Sequence, residues 1–309
     1  MYLGIALADC LRLLLKWFES HAIPMKPASF KYHSPTTVDA VVALIAELGD
    51  DGKVIAGGQS LVPTMNFRLA RPGHLFDLNG ATELDFLRAE GGKLRIGALT
   101  RHAAFHRPVV DGPLGGLLAE VAHHIGHYPI RQRGTFCGSV AHADPASEWC
   151  LIAATLEAEI LARSRAGERV MKGGEYFLGT FSTQLRPEEL ITEIRLPLLD
   201  DSWRAGFYEF SRRAGDFAIS MTVAALRIKP GKVVDARLGV GGVEDRPRRI
   251  TESEAALIGA APDARAFAQA ADIVSRVVDP MNDPHASAAY RRDLVRTTTL
   301  RALERAFPL

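Results

Sequence analysis

KVIAGGQSLVPTMNFRLARP, residues 53–72, joins a short apolar run to a stretch of helical character through a turn with two glycines, an amide and a hydroxyl. Gly57 and Gly58 can adopt backbone conformations that other residues avoid, so successive N–H groups can converge on an anion. Ser60 is placed to cap the helix that follows, whose N-terminus adds free amides. The turn is therefore a candidate phosphate site, although a strand-to-helix turn that needs glycines only for close packing gives the same pattern.

A second glycine-rich turn lies in IRQRGTFCGSVAHADPASEW, residues 130–149. Gly134 and Gly138 bracket Thr135, and Ser139 follows, so amides and hydroxyls again stand in close succession. This turn suits a second phosphate contact or the other end of a pyrophosphate. Two such turns in one domain predict a dinucleotide ligand.

Several further side chains are candidate ligands that also have plainer explanations. Asp144 precedes Pro145, a pair typical of the N-cap and first position of a helix, and capping accounts for Asp144 without a ligand. Glu148 lies one position past the capping-box site, so it is either an acceptor for a polyol or a solvated residue at the helix start. Cys137 has no base among its neighbours, which favours a small buried residue over a nucleophile. Phe217, where a strand is predicted to begin, is either a core residue or a cover for a flat ring.

A metal site is disfavoured although histidines cluster near the second turn. No cysteine accompanies them at zinc spacing, and Gly126 and Pro129 interrupt the helix on which a chelating pair would lie. The histidines concerned are His123, His124, His127 and His142.

Composition excludes several classes of protein. The 309 residues carry 37 basic and 36 acidic side chains without a long block of either sign, which argues against binding to nucleic acid or to a membrane surface. The three cysteines show no CxxC spacing, so neither a disulfide framework nor a thiolate cluster is expected, and a reducing cytoplasm fits. Residues 1–24 resemble neither a signal peptide nor a membrane span, and a short amphipathic helix is predicted over 8–20.

The pattern of elements predicts an α+β chain of two domains after this N-terminal extension. The pattern from Lys26 onwards predicts, in order, a helix, the strand KVIA, the glycine turn, the helix LVPTMNFRLA and the strand HLFDLN. After Pro197 the sequence pattern changes and predicts three antiparallel strands, and residues 251–306 are predicted to be entirely helical. We place the domains at residues 25–200 and 201–309.

These segments together resemble the flavoprotein, or medium, subunit of the molybdenum hydroxylases, the carbon monoxide dehydrogenase and xanthine dehydrogenase family. The resemblance rests on ordered motifs: KPASFKYHSPTTVDAVVALIAELG at 26–49, AGGQSLVPTMNFRLARP at 56–72, IGHYPIRQRGTFCGSVAHADPASE at 125–148, RRAGDFAIS at 212–220 and GVGGVEDRPRR at 239–249. It implies an FAD-binding domain of the vanillyl-alcohol-oxidase (PCMH) type, followed by a small domain of three antiparallel strands and a helical bundle.

The resemblance also implies roles for particular residues. The two turns would wrap the FAD pyrophosphate, Ile125 would lie against the flavin, and Asp144 and Glu148 would serve the ribityl and phosphate region. Leu190 or Ile191 would contact the ring system or the adenine, and Phe217 stands where some relatives stack a tyrosine on the isoalloxazine. The turn residues are Ala56, Gly57, Gly58, Gln59, Ser60 and Leu61 in the first and Thr135, Phe136, Cys137, Gly138 and Ser139 in the second.

One departure from the family pattern is Cys137, because the motif is usually T-x-G-G-S. If the backbone there has a positive φ, a cysteine costs about 1–3 kcal/mol of strain.

The function implied by the resemblance is electron transfer. No four-cysteine set for an iron–sulfur cluster is present in this chain. FAD is the cofactor that the resemblance implies, and non-covalent binding is expected because the two turns supply phosphate contacts and no residue is clearly placed to attach the ring. Molybdopterin and [2Fe–2S] belong on a large and a small partner subunit, in a dimer of heterotrimers. The alternatives are a free-standing FAD oxidoreductase of the same fold and an assembly subunit that has lost its flavin.

Overall fold

The computed structural model describes residues 26–309, so the predicted extension at 1–24, its helix at 8–20 and Met25 lie outside the described residues. The strands are β1 Lys31–His33, β2 Gly52–Ile55, β3 His74–Asp77, β4 Leu87–Glu90, β5 Lys93–Gly97, β6 Glu159–Ser164, β7 Gly167–Lys172, β8 Phe177–Gly179, β9 Ser182–Thr183, β10 Leu190–Pro197, β11 Trp203–Phe210, β12 Ser220–Lys229, β13 Lys232–Gly241 and β14 Arg248–Arg249. The α-helices are α1 Val38–Leu48, α2 Leu61–Asn66, α3 Pro113–His124, α4 Tyr128–Arg133, α5 Phe136–His142, α6 Glu148–Thr155, α7 Gly173–Tyr176, α8 Thr251–Leu257, α9 Ala264–Val277 and α10 Ala288–Ala306.

The first part of the chain confirms the predicted strand, turn, helix and strand. Strands β1, β3 and β2 form a parallel sheet in that order, and α1 buries an apolar face beside it. Thr37 begins α1 by accepting a hydrogen bond from the Ala40 amide. Helix α2 is shorter than predicted because Arg68, with φ of 58°, has left the helical conformation.

A second, antiparallel sheet follows in the order β4-β5-β10-β6-β7. Its buried side chains, such as Ile96, Ile160 and Ile194, share one core with the apolar faces of α1, α3 and α6. Buried residues of the segment 99–147, which contains the second glycine turn, pack into the same core.

The C-terminal part contains the predicted antiparallel sheet, with one strand more than expected. Strands β11, β12 and β13 are joined at the edge by the short strand β14. The helical prediction for residues 251–306 is partly wrong, because residues 258–263 and 278–287 are not helical and separate α8, α9 and α10.

Strand β12 links the two parts of the chain through its alternating side chains. Met221, Val223 and Ala225 pack into the core of the first part, whereas Ala224 and Leu226 pack against the C-terminal helices. Alternate residues of a strand point to opposite faces, so β12, in which residues 220–226 are all buried, contributes side chains to both cores. Within residues 26–309, none of the helices combines the length and apolar character needed to cross a membrane.

Candidate functional site

The two glycine turns lie in direct contact. The first turn, residues 56–60, leaves β2, and a Cβ added to Gly57 would stand 2.2 Å from the Arg133 carbonyl oxygen and 2.6 Å from the Gly134 Cα. Gly58 has φ of 73°, in the left-handed region that favours glycine. The His102 amide donates to the Gly134 carbonyl at 2.9 Å, which ties the second turn to the segment after β5.

A cavity of about 500 Å³ opens between these turns and brings most of the predicted binding residues together. The predicted residues that line it are Ala56, Gly57, Gly58, Gln59, Ser60, Leu61, Thr135, Cys137, Gly138, Ser139, Leu190 and Ile191. Other lining residues were not among the predicted cofactor ligands, among them Lys53, His102, Gly134, His142, Phe181 and Glu189. Of these, Gly134 belongs to the predicted second turn and His142 to the histidines considered for a metal site. Leu190 and Ile191 are almost fully buried and form an apolar wall.

The first turn presents backbone donors without partners. In the part of the chain that the structure describes, no protein acceptor receives the backbone N–H groups of residues 57–60. The capping role predicted for Ser60 is wrong: its side chain makes no cap hydrogen bond, and its backbone already has helical torsions of −100° and −46°. The donors of this turn are therefore free for a ligand with anionic oxygens.

In the second turn, the Thr135 hydroxyl is engaged by a hydrogen bond within the turn itself. Thr135 is the N-cap of α5, and its Oγ1 accepts from the Gly138 amide at 3.0 Å. A Cβ on Gly138 would lie 2.6 Å from that same oxygen, so a glycine is required for this close approach.

Cys137 occupies the second turn without the strain considered above. It lies in α5 with an ordinary negative φ, and its buried thiol points to the carbonyl oxygens of Ile96 and Gly97 at 3.7 Å. Burial raises the pKa of the Cys137 thiol well above its usual range. The interpretation as a small buried residue is confirmed, and a thiolate nucleophile has no support.

A second cavity of about 620 Å³ adjoins the first, since Phe181 lines both. Asp144 and Phe217 line this second cavity together with residues of the C-terminal part, such as Gly242 and Arg291. Phe217 is 75% exposed and lies in a loop that ends where β12 begins at Ser220, so it is neither a core residue nor at a strand entrance.

The helix expected from Pro145 begins later. Ser147 is the N-cap and Glu148 the first residue of α6, so the predicted capping role of Asp144 is wrong. The Asp144 carboxylate instead accepts from the Ala146 amide at 2.9 Å, which is a local turn rather than a cap.

Three predicted residues line neither cavity. Ile125 is the C-cap that follows α3, it is mostly buried, and its carbonyl oxygen accepts a hydrogen bond from Arg131. Phe136 is fully buried with its ring 4.7 Å from that of Trp149. The Glu148 carboxyl lies in the interior, where burial and then the neighbouring Glu209 carboxylate raise its pKa well above the ordinary value.

The histidines do not form the chelating helix. Helix α3 ends at His124 and α4 begins at Tyr128, so His123 and His127 lie on different elements. The ring of His123 stacks on His106 at 5.4 Å, and His142 lies beside Phe181 at 4.8 Å. Residues 26–309 contain no group of three or more His, Cys, Asp or Glu side chains suited to a metal ion.

Two protein-family models match the chain over nearly all of the described residues. The model described as the FAD binding domain in molybdopterin dehydrogenase matches residues 28–199. The model described as the CO dehydrogenase flavoprotein C-terminal domain matches residues 205–306.

Characterised relatives match over almost their whole length. The chain is 39% identical over 289 residues to the 6-hydroxypseudooxynicotine dehydrogenase complex subunit alpha of Paenarthrobacter nicotinovorans, covering 92% of this chain and 98% of that one. It is 33% identical to the carbon monoxide dehydrogenase medium chain of Hydrogenophaga pseudoflava, covering 92% and 99%. A solved structure of carbon monoxide dehydrogenase from the same organism, lacking the Mo-pyranopterin moiety, superimposes with a TM-score of 0.88 at 34% identity, covering 91% and 98%.

Proposed function

Because this chain belongs to the family of FAD-binding medium subunits of the molybdenum hydroxylases, we propose that it takes electrons from a [2Fe–2S] partner subunit and passes them to an external acceptor. The chain is an oxidoreductase subunit with FAD as its cofactor, and molybdopterin and the iron–sulfur centres belong to other subunits of such complexes. When bound, FAD supplies a store for two electrons that can be filled singly. The contribution of this chain is to bind and orient that group.

The observation that carries the proposal is the pair of contacting turns above a cavity with free backbone donors. The unpartnered N–H groups of residues 57–60 suit the oxygens of a pyrophosphate, and the close packing at Gly57 leaves no side chain in their way. Residues 56–61 and 135–139 would hold the pyrophosphate, and Leu190 and Ile191 would contact the adenine or the ring system.

The adjoining cavity suits the rest of the cofactor. Asp144 would accept hydrogen bonds from the ribityl hydroxyls, and the exposed ring of Phe217 would stack on the isoalloxazine. Ile125, Phe136 and Glu148 are assigned supporting roles behind the cavity walls, because none of them lines either cavity.

We further propose that the flavin is bound non-covalently, that the protein is cytoplasmic, and that it has two domains and assembles with partner subunits. Non-covalent binding is supported by Cys137, whose buried thiol with a raised pKa is poorly suited to attach a flavin. Free thiols at Cys137 and Cys150 fit a cytoplasmic location. The domain boundary near residue 200 falls between β10 and β11, and a dimer of heterotrimers is the assembly that the family resemblance implies.

The test is a transfer measurement that needs no knowledge of the hydroxylated substrate. The co-purifying small subunit is reduced with dithionite, freed of excess reductant and mixed anaerobically with the oxidised chain in a stopped-flow absorbance instrument. We expect the flavin band to bleach as the cluster bands recover, and the isolated chain to show no bleaching with aldehydes, purines or N-heterocycles. Bleaching by such a substrate in the chain alone would make it a free-standing oxidoreductase, and a colourless chain that still joins its partners would make it an assembly subunit.

A further inference from the structure

His102 is a buried side chain that lines the cavity between the turns. It is only 4% exposed, and its backbone amide donates to the Gly134 carbonyl at the start of the second turn. The neighbouring Arg101 pairs with Thr135 in an antiparallel bridge. The segment that carries His102 is therefore fastened to the second turn by its main chain.

One ring nitrogen of His102 is committed to Trp149. The indole Nε1–H of this fully buried tryptophan donates to His102 Nδ1 at 2.9 Å. An indole N–H can only donate, so Nδ1 must carry a lone pair, and a neutral ring then carries its proton on Nε2. Burial, followed by the nearby Arg101 and Arg131 charges, lowers the pKa of His102 to about 3, so the ring is neutral at ordinary working pH.

The other nitrogen lies where the two turns meet. A Cβ added to Gly134 would stand 2.5 Å from His102 Nε2, and Gly57 of the first turn packs against the same Gly134. Nothing in residues 26–309 accepts a hydrogen bond from Nε2. The Nε2–H group is thus a donor without a protein partner beside the cavity between the turns.

The cavity between the turns has few positively charged side chains in its lining, so uncharged donors are important for holding an anionic ligand. Among the described residues that line this cavity, Lys53 is the sole lysine and arginine is absent. The acidic member of the lining, Glu189, is paired with Arg169 at 2.6 Å. An anionic ligand here must therefore be held mainly by uncharged N–H groups, whose hydrogen bonds to a charged oxygen are stronger than those between neutral partners.

We propose that His102 Nε2–H donates a hydrogen bond to the pyrophosphate of FAD, and that Trp149 is a positioning residue that fixes the ring in this donor tautomer. The inference rests on the proposed FAD site between the turns and adds to it a side-chain donor outside both glycine motifs. The donor stays uncharged, so it binds the phosphate without the proton uptake that an imidazolium would need.

The test titrates the deflavinated full-length chain with FAD, and separately with ADP, following flavin fluorescence for the first and heat for the second. His102→Leu removes the donor and is expected to raise the Kd for both ligands about 10- to 150-fold, the usual effect of losing a hydrogen bond to a charged group. His102→Gln, whose amide NH₂ reaches a similar position, is expected to retain most of the affinity. Trp149→Phe should weaken binding less than His102→Leu, and the matched control Trp203→Phe, which alters a tryptophan outside the cavity lining, should leave it unchanged.

A second measurement, made on the wild type, does not depend on whether the variants fold. Ring-nitrogen NMR of the ¹⁵N-histidine-labelled wild type should show one of the ten histidines as a neutral, Nε2-protonated ring that does not titrate from about pH 5 to pH 8. In Trp149→Phe this signature should give way to a mixture of tautomers. The inference is overturned if the His102 ring of the wild type is protonated on Nδ1. It is also overturned if folded His102→Leu binds FAD and ADP with unchanged affinity, and both results leave the FAD site intact. A wild-type chain that binds neither ligand would instead overturn the site itself.

Discussion

Gly57→Ala tests the contact between the two turns directly. Gly57 does not have a positive φ, so alanine is compatible with its backbone and the substitution acts only through space. The added methyl would stand 2.2 Å from the Arg133 carbonyl oxygen, where an ordinary contact needs about 3.4 Å. The turns would have to separate by about 1 Å, and overpacking of this kind costs about 1–3 kcal/mol.

Such a separation is large compared with the tolerance of a hydrogen bond. An N–H···O contact that starts near 2.9 Å and lengthens by about 1 Å is lost. Losing even one hydrogen bond to a phosphate costs about 1.5–3 kcal/mol, so the Kd for FAD should rise about 10- to 150-fold. Gly58→Ala makes a useful contrast, because its methyl meets nothing closer than 3.2 Å and its cost is the strain of a positive φ, about 1–2 kcal/mol.

The assay measures FAD content after purification, the Kd by quenching of flavin fluorescence, and folding by circular dichroism. Gly116→Ala in α3 is the matched control, since its methyl would meet nothing within 4 Å, and it should bind FAD like the wild type. Folded Gly57→Ala with a Kd within about threefold of the wild-type value would refute the assignment of these contacting turns to the pyrophosphate.

Three further predictions concern the cysteine, the buried carboxyl and the attachment of the flavin. Cys137→Gly restores the usual family residue, and the variant should keep its FAD loading. Because helix propensity and packing are lost, its free energy of unfolding, measured by heat or urea, should fall by about 1–2 kcal/mol. A marked loss of flavin would show that the thiol side chain is needed for binding. Glu148 has a pKa raised by burial and Glu209, so its contribution to stability is complete below the ordinary value of 4.5 and is lost as the pH rises towards the folded-state pKa. Glu148→Gln should therefore gain Tm over the wild type at pH 8 and not at pH 4, and parallel pH profiles would count against the buried carboxyl. Acid precipitation should release all flavin into the supernatant, and colour in the pellet would indicate a covalent link.

The sequence predicts the glycine turns well because their signal is local. A strand, two glycines and a hydroxyl are contiguous in the chain, and the structure places them as expected beside residues 135–139. The strand pattern of the C-terminal part is equally local, and only the two-residue strand β14 was missed. A pair of residues is too short for periodicity to indicate a strand.

Predictions that depended on competition between nearby groups were less successful. Ser60 and Asp144 both have the chemistry of helix caps, but Ser60 already has helical torsions and Asp144 binds the Ala146 amide in a turn. His102 could not be recognised at all, because the features that make it a candidate donor are distant in sequence. Its partner Trp149 is 47 residues away, and only the fold shows that one nitrogen is blocked and the other faces the turns.

The C-terminal part contributes to the proposed flavin site through one anchored loop. A Cβ on Gly215 would stand 2.4 Å from the His127 ring, so this glycine lets the loop that carries Phe217 pack directly on the first part of the chain. At the far end of the loop, Arg291 donates to the carbonyl oxygens of Ile219 and Gly242 and thereby joins it to the end of β13. The loop is thus held at both ends, while Phe217 between them remains exposed at the second cavity. An exposed aromatic ring on a loop that is anchored at both ends has its face available for a ligand, which is why we assign the stacking role to Phe217 although the sequence alone also suited a core residue.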